Sequence, residues 1–145
     1  SQRWSVESFA TLGRKLCREH NARLLVMWAP GDASNKQHPG DDAKAHALMD
    51  ALKGLPAIAY PTTQLSDLIA GLAVCDNVIC ADGGAMHLAA GLGKPIVALF
   101  GDSDPSRWHP WGVPHAVLQQ LSRDVKDVSA DIALTAWNRV QSDND

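Results

Sequence analysis

The apolar positions of the chain follow two alternating spacings. Residues 4–20 and the segment after Ser129 place apolar side chains three or four positions apart, which predicts helices with one buried face. Helices are also predicted at 43–52, at 65–74 and over a short segment that ends at Gly93. Short apolar runs predict five buried strands, at residues 24–29, 57–60, 78–81, 96–100 and 115–119. Because strands and helices alternate, the pattern predicts an α/β fold with a parallel sheet and helices on both faces.

The predicted helices carry apolar side chains that we expect to face the core. In the helices at 43–52 and 65–74 these are Ala47, Leu48, Ala51, Leu52, Leu65, Leu68, Ile69 and Leu72. In the final helix they are Ala133, Ala136, Trp137 and Val140, and Ser129 is placed to cap its first turn. Trp4 leaves two interpretations open, a packing residue or a surface on which a ligand stacks.

A glycine turn separates the predicted strand at 78–81 from the short helix. Asp82 is placed to cap that helix, and Gly83 and Gly84 remove side chains where a ligand would approach the backbone. The free amides and the positive end of the helix dipole would face an anion, most plausibly phosphate, and His87 would add a donor. The alternatives are simple turn chemistry without a ligand and a structural or solvated histidine.

Composition and charge narrow the function classes. The chain has 145 residues, 46% hydrophobic and 20% charged, which is typical of one globular domain. Its net charge of -3 gives no support for nucleic-acid binding, and no apolar run approaches the ~20 residues of a membrane span. The three cysteines lack metal-ligand spacing, so we expect reduced thiols and no metal. No Gly-x-Gly-x-x-Gly follows the first strand and no G-x-x-x-x-G-K-[ST] loop is present, which argues against redox dinucleotide and ATPase roles.

Two internal segments and the opening of the chain carry a resemblance to a known family. The first is Asp82-Gly-Gly-Ala-Met-His87-Leu-Ala-Ala-Gly-Leu-Gly-Lys-Pro95, and the second is Leu99-Phe-Gly-Asp-Ser-Asp104-Pro105. The chain opens with Arg3-Trp4-Ser-Val-Glu-Ser-Phe9-Ala. Over residues 2–111 the sequence resembles the C-terminal half of the family 9 glycosyltransferases, the heptosyltransferases and relatives that build lipopolysaccharide core. Gln2 stands where the family often has lysine, so a contact to donor phosphate is missing or is supplied by Arg3.

The resemblance implies a Rossmann-like fold, similar to the C-terminal half of a GT-B glycosyltransferase. Residues 1–145 would form a single nucleotide-sugar-binding domain, and the acceptor-binding N-terminal domain would be absent from this chain. The family's general base is expected on that absent domain, so no catalytic base is assigned to this chain, which we expect to be inactive alone.

The resemblance also assigns the donor pyrophosphate to the glycine turn. The amides of Gly83, Gly84 and Ala85, together with His87, would stabilise the leaving group without a metal ion or other cofactor. Asp82 would orient the loop or touch the donor sugar, since a bare carboxylate against phosphate is repulsive.

The nucleoside of the donor is assigned to two other strand ends. Asp32, after the predicted strand at 24–29, would hold the ribose, with Asp41 and Asp42 as competitors and a simple turn role as the alternative. Thr62 and Thr63 would border the base, or one of them would cap the next helix. Further along the chain, Trp108, His109 and Trp111 form a loop that would stack on a nucleotide or sugar, or pack against a neighbouring domain.

The predicted function is therefore the donor-binding domain of a glycosyltransferase that moves a sugar, favoured as heptose, from a nucleotide diphosphate donor to lipopolysaccharide core. ADP-heptose is the favoured donor, although the residues do not identify the base. The resemblance implies a cytoplasmic enzyme, with peripheral association at the inner face of the bacterial inner membrane. The alternative from a different class is a non-catalytic nucleotide-binding or interaction domain of the same fold.

Overall fold

The computed structural model describes residues 4–31, 40–81, 83–100, 112–120, 122 and 124–144, with side chains described as far as residue 141. The helices of this part are α1 (Val6–His20), α2 (Asp42–Ala51), α3 (Leu65–Val74), α4 (Gly84–Gly91) and α5 (Ala130–Asn144). The strands are β1 (Leu24–Trp28), β2 (Ala57–Pro61), β3 (Val78–Ala81), β4 (Ile96–Leu99) and β5 (His115–Leu118). A 3-10 turn, Val125–Asp127, precedes α5.

The described chain divides into two compact units, and Val6–Gly71 forms one of them. Within it, β1 and β2 pair in parallel, with Leu24 opposite Ala57 and Trp28 opposite Pro61. The helix α1 packs against α2, and α2 contacts both strands. Its fully buried apolar side chains are those of Ala10, Leu12, Leu16, Ala45 and Leu52.

The other unit holds Trp4, Ser5 and the described residues from Leu72 onward. Its three strands are parallel in the order β3–β4–β5. One face of β4 packs against α5, where Val97 and Ala116 meet Ala136 and Val140. The alternate positions Ile96 and Ala98 are also 0% exposed, and α4 contacts β3 and β4. The predicted parallel α/β class is therefore confirmed.

The final helix forms as predicted. Ala133, Ala136 and Val140 are buried and Trp137 is partly buried. The Ser129 hydroxyl oxygen accepts a hydrogen bond from the Ile132 amide at 3.1 Å, so Ser129 caps the first turn of the helix. The Trp4 side chain is 2% exposed and its indole N–H donates to the Val128 carbonyl at 2.7 Å, which supports the packing interpretation of Trp4.

The predicted inner faces of α2 and α3 were partly wrong. In α2, Ala45 and Leu52 are buried, whereas Ala47 and Ala51 are exposed. In α3, Leu72 is 1% exposed, but Leu65 is 63% and Ile69 is 37% exposed. The reason is that α3 is apolar on most sides, so its pattern does not select one buried face. Gly71 marks the packed side, because its position lies against the side chains of Met27 and Tyr60.

Two glycines bring β1 and the start of α2 together. Gly31 has a φ of +120°, which favours glycine, and its backbone lies so close to Gly40 that a Cβ atom at Gly40 would overlap the Gly31 carbonyl group. Hydrogen bonds from the Asp41 amide to Ala29 O (2.9 Å) and from the Asp42 amide to Gly31 O (3.3 Å) complete the contact. We call this contact between Gly31 and Gly40 the glycine neck.

Replacing Gly40 with alanine should destabilise the chain, because the new methyl group can be accommodated only if the glycine neck opens. We expect Gly40→Ala to lower the free energy of unfolding by about 2 kcal/mol or more, measured by urea denaturation.

The matched control is Gly91→Ala, at the end of α4, where a Cβ atom would meet no atom of the described residues within 4 Å. There the gain in helix propensity should leave stability unchanged or raise it by up to about 1 kcal/mol. Equal effects of the two substitutions would contradict the close approach at the neck.

Candidate functional site

The glycine turn between β3 and α4 presents open backbone. Gly83 has a φ of +156°, a conformation that L side chains rarely adopt, and Gly84 begins the helix. Both glycines are exposed, and among the described residues a Cβ atom at either position would meet no atom within 4 Å. The described part of the chain therefore leaves the backbone of the turn open to a ligand.

The N-cap of α4 is Gly83, one residue later than the sequence pattern placed it. Glycine supplies no capping side chain, and the His87 amide makes only a long bond, 3.4 Å, to the Gly83 carbonyl. The first turn of α4 also carries no acidic side chain. Its positive dipole end is therefore suited to an anion.

The side chain of His87 belongs to the same end of α4. It lies four positions after Gly83, on the helix face that continues the turn, and it is exposed. Met86 and Ala89 are 0% exposed and fix the opposite side of the helix in the core. The N-terminus of α4 thus holds all four residues of the predicted cluster, Gly83, Gly84, Ala85 and His87.

In the other unit, Thr62 is tied to the end of β1. Its amide and its hydroxyl both donate to the Trp28 carbonyl, at 2.9 and 3.2 Å. The hydroxyl proton is thereby used, so toward a ligand Thr62 Oγ1 acts as an acceptor. Thr62 is not the helix cap of α3, because α3 begins at Leu65 and its N-cap position is therefore Gln64, whose amide donates to the Asp67 carboxylate at 3.0 Å. Thr63 is exposed beside it.

The Asp42 carboxylate has a structural partner. Its Oδ1 accepts the Trp28 indole N–H at 2.8 Å, and His46 meets the same indole edge-on, with ring centroids 6.1 Å apart. Asp42 is therefore a less suitable ribose ligand than the sequence alone indicated. Asp41 occupies the N-cap of α2, and its side chain makes no capping bond there. No local spacing indicates the Trp28–Asp42 bond, because the two residues lie 14 positions apart in the sequence.

Several predicted site residues lie outside the described part of the chain. They are Asp32, Asp82, Trp108, His109 and Trp111, together with Gln2 and Arg3 at the start.

Two of the described thiols, those of Cys17 and Cys75, are poor nucleophiles at neutral pH. Burial raises the pKa of the Cys75 thiol, which the nearby Lys94 ammonium partly offsets, and burial also raises the pKa of the Cys17 thiol. Both are therefore protonated at neutral pH. Within the described ranges, no three His, Cys, Asp or Glu side chains are grouped to hold a metal ion, and no helix is long and apolar enough to cross a bilayer.

The family model of glycosyltransferase family 9 (heptosyltransferase) matches residues 1–142. The chain belongs to this family. It is 30% identical over 105 residues to lipopolysaccharide heptosyltransferase 2 of Salmonella typhimurium, covering 72% of this chain and 28% of that protein. Against lipooligosaccharide heptosyltransferase 2 of Haemophilus influenzae it is 27% identical over 110 residues, 76% of this chain and 30% of that protein. The matched region thus spans less than a third of these curated relatives.

Solved structures show the same fold. A family 9 glycosyltransferase from Veillonella parvula matches with a TM-score of 0.82 at 21% identity, over 98% of this chain and 42% of that one. The E. coli ADP-heptose lipopolysaccharide heptosyltransferase II gives 0.81 at 21% identity, over 99% and 43%. E. coli heptosyltransferase WaaC with ADP gives 0.74 at 19% identity, over 99% and 40%. The predicted Rossmann-like half of a GT-B glycosyltransferase is thereby confirmed as the fold.

The Trp28–Asp42 bond should contribute to stability. Asp42→Ala removes the acceptor of a part-buried indole N–H and a negative charge from the first turn of α2, so we expect a loss of about 1–2 kcal/mol by urea denaturation. Asp42→Asn keeps an acceptor oxygen and should lose less than half as much.

The control for this pair is Asp50→Ala, at an exposed position near the end of α2. Removing a negative charge from a helix C-terminus should be neutral or slightly stabilising. If Asp42→Ala were as stable as Asp50→Ala, the hydrogen bond from the Trp28 indole to Asp42 would contribute nothing to the free energy of unfolding.

Proposed function

We propose that this chain is the donor-binding part of a glycosyltransferase that transfers heptose from ADP-heptose to the core of lipopolysaccharide. The observation that carries the proposal is the open glycine turn at the start of α4, where the N-cap residue is Gly83, with His87 one turn further on. Membership of glycosyltransferase family 9 supports the reaction class.

The turn would bind the donor's pyrophosphate and stabilise it as the leaving group. When the bond from the anomeric carbon to the phosphate oxygen breaks, negative charge develops on that oxygen. Amide N–H groups of the turn, the helix dipole and the His87 imidazole would stabilise such charge. The proposal keeps Asp82 as the residue that orients the loop or touches the sugar, and it assigns no metal ion and no cofactor.

The nucleoside is assigned to the ends of β1 and β2. Because Thr62 Oγ1 has its proton committed to the Trp28 carbonyl, it would accept a hydrogen bond from a base. Adenine offers such a donor in its exocyclic amino group, whereas the corresponding oxygen of uracil does not, so the contact favours ADP over UDP. A solved structural neighbour is a heptosyltransferase with ADP, which agrees with this preference. Thr63 would border the same base, and Asp32 keeps its assignment to the ribose.

The acceptor and the general base are assigned to another domain of the whole enzyme. The chain covers only 28% of its Salmonella relative, so there is length for such a domain in proteins of this family. The whole enzyme is proposed to work in the cytoplasm, peripherally at the inner membrane, because a lipid-linked acceptor would be presented there.

Calorimetric titration at fixed salt should distinguish the ligands. We expect ADP to bind more tightly than UDP or GDP, and adenosine to bind much more weakly than ADP because it lacks the pyrophosphate. His87→Ala should weaken ADP binding about 5- to 20-fold and leave adenosine binding unchanged, since one charge-assisted bond is lost.

The control is His20→Ala, at the exposed end of α1, which should bind both ligands as the parent chain does. Equal losses for ADP and adenosine in His87→Ala would contradict the pyrophosphate role. Tighter binding of UDP than of ADP would contradict the acceptor role of Thr62.

The chain alone should not transfer sugar. We expect no product from ADP-heptose and a lipopolysaccharide acceptor by mass spectrometry, even where ADP binds, because the acceptor site and base are assigned elsewhere. Acceptor glycosylation by these residues would overturn that assignment. Nucleotide binding without transfer by the full-length protein would favour a non-catalytic nucleotide-binding or interaction domain.

A further inference from the structure

The strand β5 ends the three-stranded sheet within the described chain. Its ladder with β4 runs through the bonds from the Ile96 amide to Pro114 O, 3.0 Å, and from the Phe100 amide to Leu118 O, 2.8 Å. Backbone groups alternate in direction along a strand, so Val117 directs its N–H and C=O away from β4. Such a strand edge is a template for pairing with another strand.

A groove of about 300 Å³ lies beside this edge, against α5. It is lined by Leu118, Asp131, Ile132, Thr135, Ala136 and Arg139. The side of α5 away from the groove faces β3, because Gln141 donates a hydrogen bond to Asn77, which directly precedes β3. The groove side of α5 therefore faces the β5 edge, where Ile132 is 41% exposed.

The charged residues of this face, Asp131 and Arg139, could pair with the same two residues of a second copy. Asp131 and Arg139 are exposed and lie four residues before and after Thr135, so they are roughly 12 Å apart along the helix. If two copies of α5 run antiparallel with Thr135 at the centre, each Asp131 meets the partner subunit's Arg139. Such a reciprocal match is what a two-fold symmetric interface requires.

A two-fold axis is also compatible with pairing between two copies of β5. Two antiparallel β5 strands centred on Val117 would exchange the outward N–H and C=O groups of that residue. Ala116, which precedes Val117, belongs to the same buried cluster as Ala136, the neighbour of Thr135. Leu118, which follows Val117, packs against that cluster and lines the groove together with Ala136, so strand and helix would share one axis. Ile132 would then be covered by the partner subunit's α5.

We propose that this face, formed by β5 and the groove side of α5, is a homodimer interface. Two three-stranded sheets join through their β5 edges, and two Asp131–Arg139 pairs cross the two-fold axis. Because one short strand pair and one helix face form a small interface, the dimer is transient, with dissociation in the micromolar range. The inference is independent of the proposed function.

Sedimentation equilibrium of the chain from about 5 to about 500 μM tests the proposal, and the parent chain should form dimers in that range. Asp131→Arg and Arg139→Glu should each weaken dimerisation at least about tenfold, because every cross-axis pair becomes repulsive. Mixing the two variants should restore dimers, since each pair then joins opposite charges again. The double variant Asp131→Arg/Arg139→Glu should also dimerise.

Two further variants test whether the dimer forms through this face. Lys53→Glu makes the same kind of charge change at an exposed turn residue and should leave dimerisation unchanged. Val117→Pro removes the outward strand donor and should abolish dimers, while circular dichroism reports whether the fold survives. A monomer at all concentrations overturns the proposal, as does a dimer that the charge variants leave unchanged, including one formed through another face.

Discussion

The burial of β4 on both faces is the constraint on which the larger unit depends. Ile96, Val97, Ala98 and Leu99 are each at most 1% exposed, so the strand must be covered by helices from both directions. On one side α5 supplies Ala136 and Val140, and α4 contacts the strand as well. Met86 and Ala89 are completely buried and anchor α4 in the core, and Gly84 of the glycine turn is the first residue of this anchored helix. Preorganised amide donors are effective toward developing negative charge because they need not move.

Much of the fold was predictable because burial leaves a local pattern. The run at 78–81 was predicted as a strand and matches β3, while the other predicted strands differ from the observed ones by about one residue at an end. Ser129 caps α5 as predicted, because capping requires only a hydroxyl at the right offset. The inner face of α3 was not predictable, since Leu65, Ile69 and Leu72 are equally apolar and only the surrounding packing distinguishes them.

The candidate site also has features that the sequence could predict and features that it could not. The glycine turn and His87 could be proposed from the sequence, because they lie within a few residues of one another along the chain. The bonds from Trp4 to Val128 and from Trp28 to Asp42 were not, because each joins segments that no local spacing relates. The second of these bonds changes the choice among Asp32, Asp41 and Asp42, since it occupies Asp42. The direction of the Thr62 hydroxyl likewise required knowledge of where β1 ends.

The glycine neck has a consequence for how such proteins can diverge. The close backbone approach of Gly31 to Gly40 and the Trp28–Asp42 bond together hold the end of β1 and the start of α2 in contact. The chain between them can therefore gain, lose or exchange residues without moving either element, whereas the two glycines cannot vary. Any ligand preference that the residues between the glycines carried would in this sense be modular, because those residues could be exchanged while β1 and α2 stayed in place.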